Sequence, residues 1–205
     1  MLKLLKIAIT GGVASGKTTV CQLFQELGAY VVDADTIVQE CLSPHTVQGQ
    51  QILREFGKDI LKNGKIDRKA IAEIVFQDRE RLRKLEQILH PTVLQEIEKR
   101  YSQACKEKKY NLFVVEIPLL FEMSEEKNYD ATITVLSREL TAKKRFAEKG
   151  YPINEYNRRM SHQLSIDEKS KKANFIINND GTLDNLKNEV KKIHAMFQTS
   201  EFHFP

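Results

Sequence analysis

No stretch of the 205 residues approaches the roughly 20 consecutive apolar residues that a membrane span needs. The opening stretch, Met1 to Ile9, carries Lys3 and Lys6 among apolar residues, but no small-residue cleavage site follows. It therefore reads as a first strand rather than a leader. Cysteine is scarce: Cys21, Cys41 and Cys105 are odd in number and form no CxxC pair. That argues against a disulfide framework and against zinc, and fits unpaired thiols in a reducing cytosol. Neither sign of charge dominates, with 32 Lys and Arg against 28 Asp and Glu for a net +4. So mild a basic balance suits an anionic small ligand and gives no support to nucleic acid. Internal repeats, low-complexity tracts and Ser/Gly linkers are also missing. What remains is an ordinary globular composition, 41 % hydrophobic and 29 % charged, in a length that suits one unit with insertions.

Five short apolar runs read as strands: Leu4 to Thr10, Tyr30 to Asp33, Leu112 to Ile117, Ala131 to Leu136 and Phe175 to Asn178. Several lack clean alternation, as strands covered on both faces do. Helical patterns separate them. Val20, Leu23, Phe24 and Leu27 share a face that stops at Gly28; Leu183, Leu186, Val190, Ile193 and Phe197 make an amphipathic C-terminal helix, after which Thr199 to Pro205 are expected to fray. Asp67 is placed to cap a helix carrying Ala70, Ile71, Ile74 and Val75, with Ile66 and Ile71 at staple positions; Ser165 and Glu168 have capping-box spacing. Leu82, Leu85, Ile88 and Leu89 form another face, and Pro91 is expected to break or restart the helix there. Strands alternating with helices predict an α/β fold with a parallel sheet flanked by helices. Residues 37–110 are almost wholly helical and too long for a simple crossover, so they read as an inserted substrate-binding region. Residues 138–172, helical and rich in Arg and Lys, read as a lid. That leaves 1–36, 111–137 and 173–198 as the core.

The strongest signal is Gly11-Gly12-Val13-Ala14-Ser15-Gly16-Lys17-Thr18, which meets G-x-x-x-x-G-K-[ST] at every required position, between a strand and a helix. Glycines let the backbone turn and aim N–H groups at phosphate oxygens, and the helix N-terminus adds positive partial charge. Lys17 is expected on the β- and γ-phosphates of ATP, Thr18 on Mg²⁺, and Thr19 completes the nucleotide contacts. The loop alone does not separate kinases from ATPases and GTPases. No Asn-Lys-x-Asp guanine reader is present, since Asn178-Asn179-Asp180 does not match it.

Carboxylates lie where strands of such sheets meet ligand. Asp33 and Asp35 follow the second strand; Asp33 is the candidate base or water-mediated Mg²⁺ partner, or else a turn residue capping the next helix. Glu116 ends the third strand, where a buried acid needs either an ion-pair partner or a functional one. Arg145 and Arg159 are candidates to neutralise transferring phosphate, against the plainer reading of a solvated helix face; Lys143, Lys169, Lys171 and Lys172 are expected at the surface. Arg68 and His90, in the insertion, are candidate acceptor contacts or structural residues, while Phe56, Phe76 and Tyr101 are expected in the core.

Taken together, these pieces resemble the dephospho-coenzyme A kinase family. The likeness runs through Thr10-Gly11-Gly12 and Ser15-Gly16-Lys17-Thr18, then Val32-Asp33-Ala34-Asp35 with Ile37. It continues with Phe56-Gly57, Arg68, Val75-Phe76, Leu85-Glu86, His90-Pro91, Glu116-Ile117-Pro118-Leu119-Leu120-Phe121-Glu122, and Lys169 through Ala173-Asn174-Phe175 to Asn179. The resemblance implies a P-loop kinase fold with helical acceptor-binding insertion and lid. It implies transfer of the ATP γ-phosphate to the ribose 3′-hydroxyl of dephospho-coenzyme A. Asp33 would act as base, with Asp35, Arg68, His90, Glu116, Pro118 and Leu119 toward the acceptor. ATP and dephospho-coenzyme A are the implied partners, with no nucleic acid or membrane, in a cytoplasmic monomer or small homo-oligomer. The chain departs from the family at Asn174, commonly Asp, at Glu116, often Asp or apolar, and in the lid, where only Lys144 and Arg145 lie upstream of the Arg159-x-x-x-Gln163 element. The same residues leave two other readings, a kinase for a nucleoside or nucleoside monophosphate and a nucleotide-switched binding protein.

Overall fold

A computed structural model describes residues 3–199. The described residues divide into two compact units, one formed by 3–32 with 103–199 and the other by 33–102. The first holds a five-stranded sheet: β1 (Leu5–Gly11), β2 (Tyr30–Asp33), β5 (Leu112–Glu116), β6 (Ala131–Leu136) and β7 (Phe175–Asn178). Their order is β2-β5-β1-β6-β7, which places β1 at the centre. β1 pairs in parallel with β5, Ile7 opposite Val114, and with β6, Ile9 opposite Ile133; β6 pairs in parallel with β7. Parallel pairing requires crossovers, and helices supply them. The five predicted strands are these five, shifted by at most one residue at an end.

Helices α1 (Lys17–Glu26) and α9 (Leu183–Gln198) bury their apolar stripes with the sheet in one cluster that includes Ile7, Ile9, Val20, Phe24, Val114, Ile133, Leu186, Val190 and Phe197. Leu183 is the exception on its stripe: it stands 54 % exposed at the first turn of α9. Three helices follow β6: α6 (Glu139–Glu148), α7 (Ile153–Met160) and α8 (Ile166–Lys172). α8 opens with the expected capping box, Ser165 and Glu168 each bonding the other's backbone N–H. Asn174, at the family's common Asp position, accepts from the N–H and hydroxyl of Thr132 at 2.9 and 3.0 Å, as a carboxylate there would.

The second unit contains α2 (Ala34–Cys41), α3 (Val47–Phe56), the two-residue strands β3 (Leu61–Lys62) and β4 (Lys65–Ile66), α4 (Arg68–Gln77) and most of α5 (Arg79–Glu107). Its core includes Ile37, Ile52, Phe56, Ile71, Leu89 and Ile97, which confirms Phe56 as a core residue. Tyr101 is only half-buried, and the expectations for the Phe76 side chain and for 200–205 lie outside the described residues.

Residues 37–110 are almost wholly helical, as expected; the interruption is a short hairpin turned by Asn63-Gly64, at φ +50° and +73°, as an Asn-Gly pair does between strands. One expectation fails in this unit: Pro91 does not break or restart a helix, because α5 runs through it unbroken. Proline removes one backbone donor there and orphans the carbonyl one turn earlier. Gln87 and Pro91 both line an open groove, so that carbonyl lies beside solvent and the helix continues.

Candidate active site

The phosphate loop is held open by backbone geometry that only glycine tolerates at two positions. Gly11, φ +148°, ends β1 where a Cβ would drive into the carbonyl oxygen of Val135 on the neighbouring strand. Gly16, φ +99°, opens α1, and a Cβ there would overlap Nδ2 of Asn179. That amide donates to the Ser15 carbonyl at 2.8 Å, pinning the turn from the side of β7. Between them Ala14 also sits at positive φ, +54°. The Lys17 ammonium folds back over the loop and donates to the carbonyls of Gly11 and Gly12 at 3.1 and 2.9 Å. The Ser15 hydroxyl is buried in the loop without a protein partner, a polar group left for an oxygen-rich ligand.

Glu116 meets Thr18 across the loop. The Thr18 hydroxyl donates to Glu116 Oε1 at 3.1 Å, and Glu116 is 8 % exposed at the end of β5. Two residues on, the Pro118 carbonyl accepts from the Thr10 hydroxyl at 3.1 Å and from Lys169 Nζ at 2.8 Å. Leu119 follows, half-buried.

Arg145 on α6 donates to the Asn179 carbonyl at 2.9 Å and to the Ser137 hydroxyl at 3.4 Å. With Ala14, Gly16, Thr19, Asn179 and Leu183 it lines a hollow of about 340 Å³ beside the loop. Arg159 is engaged otherwise: it pairs with Glu155 one turn back and lies over the Phe146 and Tyr151 rings, 5.4 and 5.2 Å from their centroids. A Cβ on Gly12 would sit 2.8 Å from Ile166 Cδ1, so α8 packs directly on the loop.

Lys169 overturns its expected place at the surface. It is 0 % exposed, because Glu122 Oε1 at 2.9 Å and the Pro118 carbonyl together replace its hydration. Burial pushes its ammonium below the ordinary lysine range, and Glu122 pulls it back up. Lys171 and Lys172 are exposed as expected, and Lys143 is half-buried beside Glu139.

In the second unit, Asp33 caps α2, accepting from Asp35 N–H at 2.9 Å and from the Thr36 hydroxyl at 2.8 Å. The capping reading of Asp33 is therefore met, and it leaves lone pairs on both oxygens for another donor. Asp35 is exposed in the first turn of α2, Arg68 is the exposed first residue of α4, and His90 is half-buried in α5. Of the residues read from sequence, Gly11 to Thr19, Glu116, Pro118 and Arg145 form one continuous assembly in the first unit. The residue that reading did not rank as part of the site is Asn179, whose side chain and carbonyl link the loop to Arg145. Its position directly after a strand end was the available signal.

The profile of the dephospho-CoA kinase family matches residues 5–185. A dephospho-CoA kinase of Chlamydia pneumoniae is 42 % identical over 193 residues, 94 % of this chain and 96 % of the relative. A crystal structure from Thermus thermophilus superposes with TM-score 0.82 at 31 % identity, covering 95 % of this chain and 98 % of that one. Dephospho-CoA kinase from Campylobacter jejuni gives TM-score 0.66 at 32 % identity over 92 % and 94 %.

Proposed function

The chain belongs to the dephospho-CoA kinase family, and on that footing we propose how its residues phosphorylate the ribose 3′-hydroxyl of dephospho-CoA with ATP, yielding CoA and ADP. The observation that carries the reading is the loop itself. Its glycine-held turn, the Lys17 ammonium folded over it and the unpartnered Ser15 hydroxyl are the groups a phosphate would need, in a chain whose likeness to the family is nearly end to end.

ATP enters with its β- and γ-phosphates in the loop. Lys17 leaves the carbonyls of Gly11 and Gly12 and moves to the phosphate oxygens, a stronger charge-assisted contact. The base occupies the hollow lined by Arg145, Asn179 and Leu183, where the exposed Leu183 offers an apolar face. Magnesium fits the donors next to the loop: the Thr18 hydroxyl and Glu116 carboxylate are hard oxygen ligands, few enough to leave room for phosphate and water. When bound, it offsets the charge shared by the β- and γ-phosphates.

Asp33 accepts the proton of the attacking 3′-hydroxyl, its carboxyl already oriented by Asp35 N–H and Thr36. Arg145 faces the charge that spreads over the γ-oxygens, and Arg159 joins it by exchanging Glu155 for phosphate. Residues 37–110, with Asp35, Arg68 and His90, receive the acceptor, and 138–172 close over the nucleotide to keep water from taking the phosphate. Among the described residues no helix is long and apolar enough to cross a membrane. An acceptor panel tests the reading: ADP release is expected with dephospho-CoA and not with adenosine or AMP. Equal release with all three, or with none, sinks it.

A further inference from the structure

Among the described residues, Lys169 and Glu122 make a well-connected polar cluster outside the phosphate loop. Lys169 Nζ donates to the Pro118 carbonyl at 2.8 Å, to Glu122 Oε1 at 2.9 Å and to Gln163 Oε1 at 3.3 Å. Glu122 Oε1 also accepts the Leu164 N–H at 2.8 Å, and the Lys169 carbonyl accepts the Thr134 hydroxyl at 3.3 Å. Residues 163–169, at the root of α8, are thereby tied to residues 118–122, just past β5. The same Pro118 carbonyl takes the hydroxyl of Thr10, the residue before Gly11.

Glu122 Oε2 is buried with no hydrogen-bond partner. A buried pair with an oxygen left unsatisfied contributes little net stability. Its consequence lies instead in what it holds in place. Only Ile117 separates Pro118 from Glu116, whose carboxylate meets Thr18, and α8 lies on Gly12 through Ile166.

We infer that Lys169 and Glu122 are positioning residues for phosphoryl transfer. They lock the end of β5 to the root of α8, so that Glu116 stays on Thr18 while the preceding lid helices move. The inference rests on the reading of Thr18 and Glu116 as the magnesium-side pair. Lys169 does not itself touch substrate, since its ammonium is wholly enclosed by protein oxygens.

The test is the pair of substitutions Lys169→Met and Glu122→Gln made together, which removes both charges and leaves no lone buried ion. Unfolding midpoint, steady-state kinetics against Mg²⁺, and hydrogen exchange of the ATP-free protein are measured. The expected result is a folded protein whose kcat falls on the order of 10- to 100-fold, as small misplacements of reacting groups do. KM for dephospho-CoA stays put, the Mg²⁺ giving half-maximal rate rises, and segments 116–122 and 163–169 gain exchange together. A kcat close to that of the parent, an unmoved Mg²⁺ requirement, or loosening of 163–169 alone overturns the inference. If the double variant does not fold, Lys169→Arg serves, since it keeps the charge pair with Glu122 while its planar fork cannot reproduce the three contacts of Lys169 Nζ. The same rise in Mg²⁺ requirement and paired exchange are expected there, and their absence overturns the inference. A parent enzyme inactive on dephospho-CoA would contradict the proposed function instead, so the two failures are told apart.

Discussion

The contact between Gly16 and Asn179 offers a sharp test of how the loop is held. Gly16→Ala puts a methyl where Asn179 Nδ2 now lies, at a φ of +99°. The left-handed backbone costs a side chain about 1–2 kcal/mol. The methyl also displaces the amide from the Ser15 carbonyl, and a buried acceptor stripped of its partner costs about 1–3 kcal/mol more. Gly16→Ala is therefore expected to destabilise the ATP-free protein by about 2–5 kcal/mol. Asn179→Ala loses the same hydrogen bond without the backbone strain, for about 1–3 kcal/mol. In the double variant the hydrogen bond is lost only once and the methyl has space. The effects should then fall short of additivity by about 1–3 kcal/mol, in the range of residues in contact. Urea unfolding of the four proteins gives this coupling directly, provided the m-values agree. Additivity to within about 0.5 kcal/mol, the behaviour of independent sites, would refute the reasoning.

Other outcomes follow from the same geometry. Asp33→Asn keeps a side-chain acceptor for the α2 cap, so thermal stability should barely change, while kcat should fall about 10²–10⁴-fold if the carboxylate is the base; unchanged kcat removes Asp33 from that role. Arg145→Ala should lower kcat about 10²–10³-fold with a smaller effect on KM for dephospho-CoA, which steady-state kinetics can separate. Burial beside Phe24 and Asn111 pushes the His194 imidazole below its ordinary value of about 6.5. The unfolded chain then binds the proton more readily, so this group's contribution is complete above that value and is lost as pH falls from it toward the folded value. His194→Gln should remove that part of the slope, at most about 1.4 kcal/mol per pH unit, in unfolding curves taken between neutral and mildly acid pH.

The loop was legible because its chemistry is local. Glycine spacing, Lys17 and the flanking strand and helix all lie within a single run of sequence, and so do the apolar strands that carry it. The caps at Asp67 and Ser165 were legible for the same reason, each being a bond across two or three residues. Lys169 was not, because its burial depends on Pro118 and Glu122, 51 and 47 positions away, and charge patterning near it points to the surface. Pro91 misled because the rule assumes the orphaned carbonyl has no solvent, and in α5 it does. Asn63-Gly64 was a readable turn signal that the surrounding helical periodicity hid. Asn179 joins two elements: its place directly after β7 marks a strand end, but the bond by which it pins the loop goes to Ser15, 164 positions away.

The most direct test of the central claim is to identify the product. The enzyme is incubated with ATP, Mg²⁺ and dephospho-CoA, with Lys17→Ala as the blank, and the product is read by mass spectrometry and phosphorus NMR. The expected product is heavier by one phosphate, carries that group as a monoester on the ribose 3′-oxygen, matches authentic CoA and is lost in the variant. A phosphate on any other atom, or ADP formed at the same rate without acceptor, would contradict the account.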